Sequence, residues 1–274
     1  MQGATSARAA PLTDGTRPRS AALVVAHPGH ELRLFGWLSL ARPTVHVLTD
    51  GSGASGASRL ASTTRVLAAA GATPGSVYGT MTDGDLYAAV LAGQVEPFLK
   101  VVDALARSLE ETRAEVVVAD AVEGYNPAHD LASVVVAAAV ARAGRRGVGV
   151  PALFEYAVVG EPAAAGDAVR EGGIRVDLDA AALRRKTQAA LAYGELKAEV
   201  ADALSGAEAA RADTEWIRRL DPAREPGVPA EDPPFYERHG ARRVREGRYE
   251  RVLTFRGHMR PFARALLDRA RQSR

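Results

Sequence analysis

The sequence predicts an α/β fold, a mostly parallel sheet with helices on both faces. Three observations predict it. Apolar runs of strand length alternate with stretches of helical periodicity. The runs are almost continuously apolar, as in strands buried on both faces. The first run, the helix after it and the second run together occupy about 30 residues, the size of one strand–helix–strand crossover.

Residues 21–26 (AALVVA) form the first predicted strand, ended by Pro28 and Gly29. Residues 31–40 place Leu32, Phe35 and Leu38 on one helical face. Residues 44–49 (TVHVLT) are the second strand, stopped by DGSG, and His46 inside it reads as a packed core residue. A helix over 58–70 ends at Gly71, and a third strand is expected at 76–79. Residues 96–112 carry Phe98, Leu99, Val102, Leu105 and Leu109 on one side of a helix. A strand at 115–119, an Ala/Val-rich helix at 130–143 capped by Gly144, and a strand at 150–158 follow. The spacing then predicts one long helix over 180–204, a breaker-rich loop over 221–234, a strand over 249–255 and a helix over 259–271.

The chain of 274 residues suits a single domain over 20–274, preceded by a disordered leader over 1–19 that lacks the apolar core of a signal peptide. No apolar run is long enough to span a membrane. Without cysteine there is no disulfide framework, thiolate metal site or thiol nucleophile, and a cytoplasmic protein is the simplest reading. Net charge is only +2, but residues 235–274 hold twelve Arg and four Asp or Glu. That basic appendage, 220–274, is either a solvated helix face or a surface for an anionic, for example phosphorylated, ligand. No aromatic-studded motif points to nucleic acid.

In open parallel sheets, ligands bind beyond the carboxyl ends of the strands. His27 and His30 follow the first strand, Asp50 the second, and Asp120, Glu123, Tyr125, Asn126, His129 and Asp130 follow the strand at 115–119. Half of the six histidines thus fall on one rim. A catalytic zinc keeps three protein ligands and an open water position, and His27, His30 and His129 supply that number. The same residues also suit a metal-free loop in which an imidazole caps the next helix. Imidazole sites also take other divalent transition metals.

LVVAHPGHE resembles the AHPDDE motif of the LmbE-like, or PIG-L, zinc-dependent N-deacetylases, which act on N-acetylglucosamine-containing substrates. HVLTDGSG is similar to the family's strand ending in TDG, GYNPAHDLA to its HPDH segment, and LRRKTQAALAYGEL to its later K-x-x-A helix. The resemblance spans roughly residues 20–200. It implies the Rossmann-like fold of that family, a zinc cofactor and an amino-sugar or glycoconjugate amide as substrate. It also implies that His27 and His129 are ligands, with His30 in place of a ligating Asp. Gly29 stands where the family has its general base, and Ala128 and Asn126 replace further members of the HPDH segment. Three neutral imidazoles leave a higher charge on the ion than two and a carboxylate, which lowers the bound-water pKa toward about 7.

An amide hydrolase still needs a proton for the departing nitrogen. Glu31, Asp50, Asp130 and His239 are the candidate acids and bases. Each has a plainer role: Glu31 in the first turn of a helix, Asp50 as a turn cap or as the group that orients a ligand histidine, Asp130 as a cap, His239 on the surface. Tyr125 and Asn126 either bind substrate or build their turn. With Gly29 and Ala128 in place, a sugar-binding or protein-binding module that has lost catalysis is the alternative.

Overall fold

A computed structural model describes residues 20–145, 149–159, 172–205, 212–221 and 224–272. The expected leader over 1–19 lies outside the described residues. The elements in order are β1 (Ala21–Val25), α1 (Phe35–Ala41), β2 (Thr44–Thr49), α2 (Leu60–Ala70), β3 (Thr73–Met81), α3 (Asp83–Ala92), α4 (Glu96–Thr112), β4 (Val116–Asp120), α5 (Pro127–Arg145), β5 (Ala152–Tyr156), β6 (Ile174–Asp177), α6 (Ala180–Leu191), α7 (Lys197–Ser205), β7 (Thr214–Arg219), α8 (Phe235–Arg245) and α9 (Arg260–Gln272).

The strands form one sheet in the order β3-β2-β1-β4-β5-β7-β6. The first five run parallel; β7 is antiparallel to β5, and β6 to β7. Side chains alternate across a strand, so β1 feeds two cores. Ala22 and Val24 pack with α3, α4, α5 and α9, while Leu23 and Val25 pack with α1, α2 and the β6–β7 side. Burying each such Val or Leu contributes roughly 1.5–3 kcal/mol, which fixes β1 and hence the loop that leaves it. Chain order reverses between β1 and β4. That reversal opens a crevice at the carboxyl ends of the two strands, the usual ligand position in such sheets.

Four expectations need correction. The helix expected over 180–204 is two helices. Tyr193 leaves helical geometry (φ −83°, ψ 88°), and its buried hydroxyl lies 2.9 Å from Thr63 Oγ1 and 3.2 Å from the Arg59 carbonyl, so tertiary anchoring breaks the helix. Residues 249–255 form no strand. The Phe255 amide donates to Glu237 Oε2 and the Thr254 amide to His258 Nδ1, so neither is free for a sheet ladder, and a π-helical turn (Phe255–Met259) follows. The helix expected from residue 31 begins as a 3₁₀ turn (His30–Leu34) after Gly29 in the left-handed region. α3, α8, β6 and β7 were not foreseen. α9, inside the basic appendage, belongs to the first core: Phe262 meets Phe98 edge to face, and Leu266 is fully buried.

Candidate metal and ligand site

The site grows from the end of β1. Asp120, the last residue of β4, is fully buried and accepts the Ala26 amide through Oδ2 at 2.8 Å, which ties the two strand ends together. Thr49, the last residue of β2, donates its hydroxyl to the Ala26 carbonyl at 3.1 Å. After Pro28 the chain must turn sharply. Gly29 does so at φ 107°, a conformation that side chains resist. The Gly29 amide donates to Glu31 Oε2 at 2.7 Å, and the next turn carries His30 back beside His27.

His129 comes from the other side of the crevice. Asn126 caps α5, its side-chain oxygen accepting the Ala128 amide at 2.8 Å, and Pro127 opens the helix. This sets His129 in the first turn of α5. The three imidazoles lie together: ring centroids are 5.3 Å apart for His27 and His30, 5.4 Å for His27 and His129, and 4.4 Å for His30 and His129.

Two of the rings are held by carboxylates. His30 Nδ1 lies 2.8 Å from Asp120 Oδ2, whose other oxygen accepts the Tyr156 hydroxyl at 2.9 Å. His27 Nδ1 lies 2.9 Å from Asp83 Oδ1 and 2.8 Å from Thr49 Oγ1. Since the Thr49 hydroxyl already donates to Ala26, His27 Nδ1 is the donor. In both rings the lone pair then falls on Nε2. His129 Nδ1 is buried with no hydrogen-bond partner.

Electrostatics favour the neutral form of His27 and His129. Burial lowers the pKa of His27 and pushes that of His129 well below the ordinary range, and the neighbouring imidazoles add repulsion. Burial acts to raise Asp83 and Asp120, but the hydrogen bonds of His27, Thr49 and the Gly53 amide to Asp83, and the pull of His30 with the Ala26 amide on Asp120, outweigh it, and both stay lowered.

Do these residues fit a metal ion? Around a tetrahedral zinc with Zn–N near 2 Å, imidazole centroids stand about 5 Å apart, close to the spacings found. The lowered pKa of His27 and His129, the carboxylate-held Nδ1 atoms of His27 and His30 and the orphaned buried nitrogen of His129 suit the same purpose. Yet among the described residues no three His, Cys, Asp or Glu side chains already converge as a formed metal site. The rings are gathered, and their final alignment would come with the ion.

The other sequence candidates are placed differently. Glu31 is fully buried, holds the Gly29 amide, and has its pKa raised by burial. Asp50 accepts the Ser52 amide and hydroxyl, building its own turn. Asp130 is fully buried and accepts the Glu123 and Gly124 amides; burial pushes its pKa up to about 7. His239 is separated from His129 by two intervening rings, Tyr125 and Phe235. Glu31 Oε1 and Asp130 Oδ2 are buried without a hydrogen-bond partner, so each keeps one uncommitted carboxyl oxygen near the rim. Tyr125 is exposed, 6.4 Å from His129 ring to ring, and stacks on Phe235. The Asn126 side-chain oxygen is taken up by its cap and by the Tyr87 hydroxyl. At Gly29, a Cβ would sit 2.4 Å from Leu196 Cδ1, so Leu196 fills the direction a side chain would take.

Sequence reasoning placed Asp120 on the rim without giving it a role, and did not single out Asp83; both are partners of the histidines. Asp120 closes a strand beside the rim, which is a usable signal. Asp83 depends on α3, whose Thr82–Asp85 capping box announces the helix start.

Neither a family model nor a curated protein matches the sequence. Solved structures do. The conserved protein TT1542 from Thermus thermophilus matches with a TM-score of 0.51 at 20% identity, over 77% of this chain and 98% of its own. An A40926 pseudoaglycone deacetylase matches with a TM-score of 0.50 at 18% identity, over 76% of this chain and 100% of its own. The chain shares their fold. Within that shared fold, the LRRKTQAALAYGEL segment has a structural task. Lys186 of α6 reaches Glu215 of β7 at 2.8 Å, and Glu215 accepts the Gly36 and Trp37 amides at the start of α1. A carboxylate there is favoured by the helix dipole, and the contact clamps α6 and β7 to the helix behind the imidazoles.

Proposed function

We propose that the chain is a divergent LmbE-like amide hydrolase, a zinc-dependent de-N-acylase of an amino sugar or glycoconjugate. The observation that carries this reading is the trio His27, His30 and His129, donated by two loops at the reversal point of the sheet. In this reading the three imidazoles hold the ion. When bound, zinc supplies a polarised acyl oxygen and a water of lowered pKa. Asp83 and Asp120 fix the tautomers of His27 and His30. Tyr125, exposed and 6.4 Å from His129 ring to ring, would be placed to meet a sugar, and Asn126 would serve through the cap that sets His129.

Gly29 accepts no proton and Leu196 covers its free side, so the reaction would proceed without the family's usual base. Loss of a general base costs on the order of 10²–10⁴-fold in rate, and slow turnover is expected. The same observation favours a second reading, a sugar-binding protein that keeps the ion and has lost catalysis. Phosphate on the substrate has weaker support, because many C-terminal arginines are paired: Arg256 with Asp232, Arg260 and Arg264 with Glu225. A cytoplasmic location rests on the absence of cysteine. No helix among the described residues is long and apolar enough to cross a membrane.

The test is acyl release from a panel of N-acetyl amino sugars by the zinc-loaded protein. Release that disappears in His129→Ala supports the hydrolase. Saturable sugar binding with no release supports the second reading, and a zinc-loaded protein that neither releases an acyl group nor binds a sugar contradicts both.

A further inference from the structure

Behind the Gly29 turn lies a cavity of about 250 Å³. Its walls include Leu183, Ala190, Leu196, Val200, Ala203 and Trp216, from α6, α7, β7 and the turn between the helices. Two further wall residues belong to the site. Gly29 lies between His27 and His30, and the Tyr156 hydroxyl donates to Asp120, the carboxylate that holds His30. The cavity and the imidazole cluster therefore share one thin partition of glycine backbone and tyrosine ring.

The cavity's chemistry is specific. Its aliphatic walls come from two short helices that exist because Tyr193 breaks the chain's helical run. Six charged residues line it, and four of them form ion pairs: Lys186 with Glu215 at 2.8 Å and Arg218 with Glu155 at 2.7 Å; Arg33 and Glu199 are the other two. Lys186 and Arg218 are therefore already engaged, and an anionic head would have to break one of these pairs while facing the Glu199 carboxylate. The volume exceeds the roughly 150 Å³ of an apolar cavity that admits benzene. We propose that this cavity binds a neutral, unbranched aliphatic chain of medium length, and that an occupant presses on the partition that positions His27 and His30. Two sources share that chemistry, the acyl chain of an N-acyl sugar and a free aliphatic alcohol. The proposal does not need the amide-hydrolase reading, because occupancy is measured without turnover.

Trp216 in the wall provides the signal. We would titrate the full chain with 1-octanol, N-octanoylglucosamine and N-acetylglucosamine, following tryptophan fluorescence and heat. Saturable binding of the two octyl probes, and none of the acetyl sugar, is expected. Trp216→Phe should remove the fluorescence change and leave the heat. Ala190→Phe and Ala203→Phe each fill the cavity from a different helix, and each folded variant should weaken octyl binding about tenfold or more. In His129→Ala, weaker binding of N-octanoylglucosamine with unchanged 1-octanol would mark the chain as the acyl arm of a ligand that reaches the imidazoles. Unchanged binding of both would mark a separate aliphatic site. Absence of saturable octyl binding to the wild-type chain, or octyl affinity unaltered in both filled variants, overturns the proposal.

Discussion

His30 Nδ1 lies 2.8 Å from Asp120 Oδ2, and that same oxygen accepts the Ala26 amide at 2.8 Å. One carboxylate therefore sets the ring of a candidate ligand and the end of the strand that delivers it. The Tyr156 hydroxyl, on Oδ1, completes the set of partners and links β5 to the same point.

Asp120→Asn keeps the shape and removes the charge. An amide in that place can no longer accept from all three donors while presenting an anion to the imidazole. Zinc affinity, measured by competition with a chromophoric chelator, should fall about 10–100-fold, the usual effect of losing a ligand's hydrogen-bond partner. Unchanged affinity would remove His30 from the ligand set.

Gly29→Asp would restore a carboxylate at the position of the family's base, but φ 107° and the nearby Leu196 oppose it. A strained left-handed residue alone costs of order 1–3 kcal/mol. The melting temperature should drop, and Leu196→Ala should recover part of the drop in the double variant. Additive losses in the double-mutant cycle would show that Leu196 does not occupy that space.

His46 gives a pH signature away from the site. It is fully buried beside Ser108 and the Val77 amide, and burial lowers its pKa to about 4. The unfolded chain binds this proton at a higher pH than the folded one, so stability falls as pH drops from about 6.5 to about 4. Relative to His46→Gln, the wild type should lose roughly 3 kcal/mol over that window, read from urea unfolding at each pH.

Asp130 should behave oppositely. Its folded pKa is raised to about 7, so the folded chain holds the proton longer, and stability falls as pH rises from about 4 through 7. Asp130→Asn keeps an acceptor for the Glu123 and Gly124 amides without the charge. The stability difference between wild type and variant should therefore shift toward the variant by roughly 4 kcal/mol across that range, in the same unfolding experiment.

Much of the architecture was legible because the strands are continuously apolar and the crossovers are of standard length. The 96–112 helix appears with the bounds its periodicity predicts. β6 and β7 escaped because four to six residues with mixed charge, such as TEWIRR, carry little period-two signal. α8 escaped because, in FYERHGARRVR, only Tyr236 and Gly240 are buried, and no apolar stripe marks it. At the site, the histidine trio was readable from strand ends alone. The hydrogen-bond partners of Glu31, Asp50 and Asp130 were not, since whether a carboxylate meets a backbone amide or open solvent depends on loop paths that the sequence does not display.

The central claim is that His27, His30 and His129 hold one divalent ion between them. Elemental analysis after zinc loading and exhaustive dialysis tests it most directly. One zinc per chain is expected, with loss of that equivalent in each of His27→Ala, His30→Ala and His129→Ala. A wild-type chain that retains no metal, or a His129→Ala chain that retains it in full, would contradict the claim.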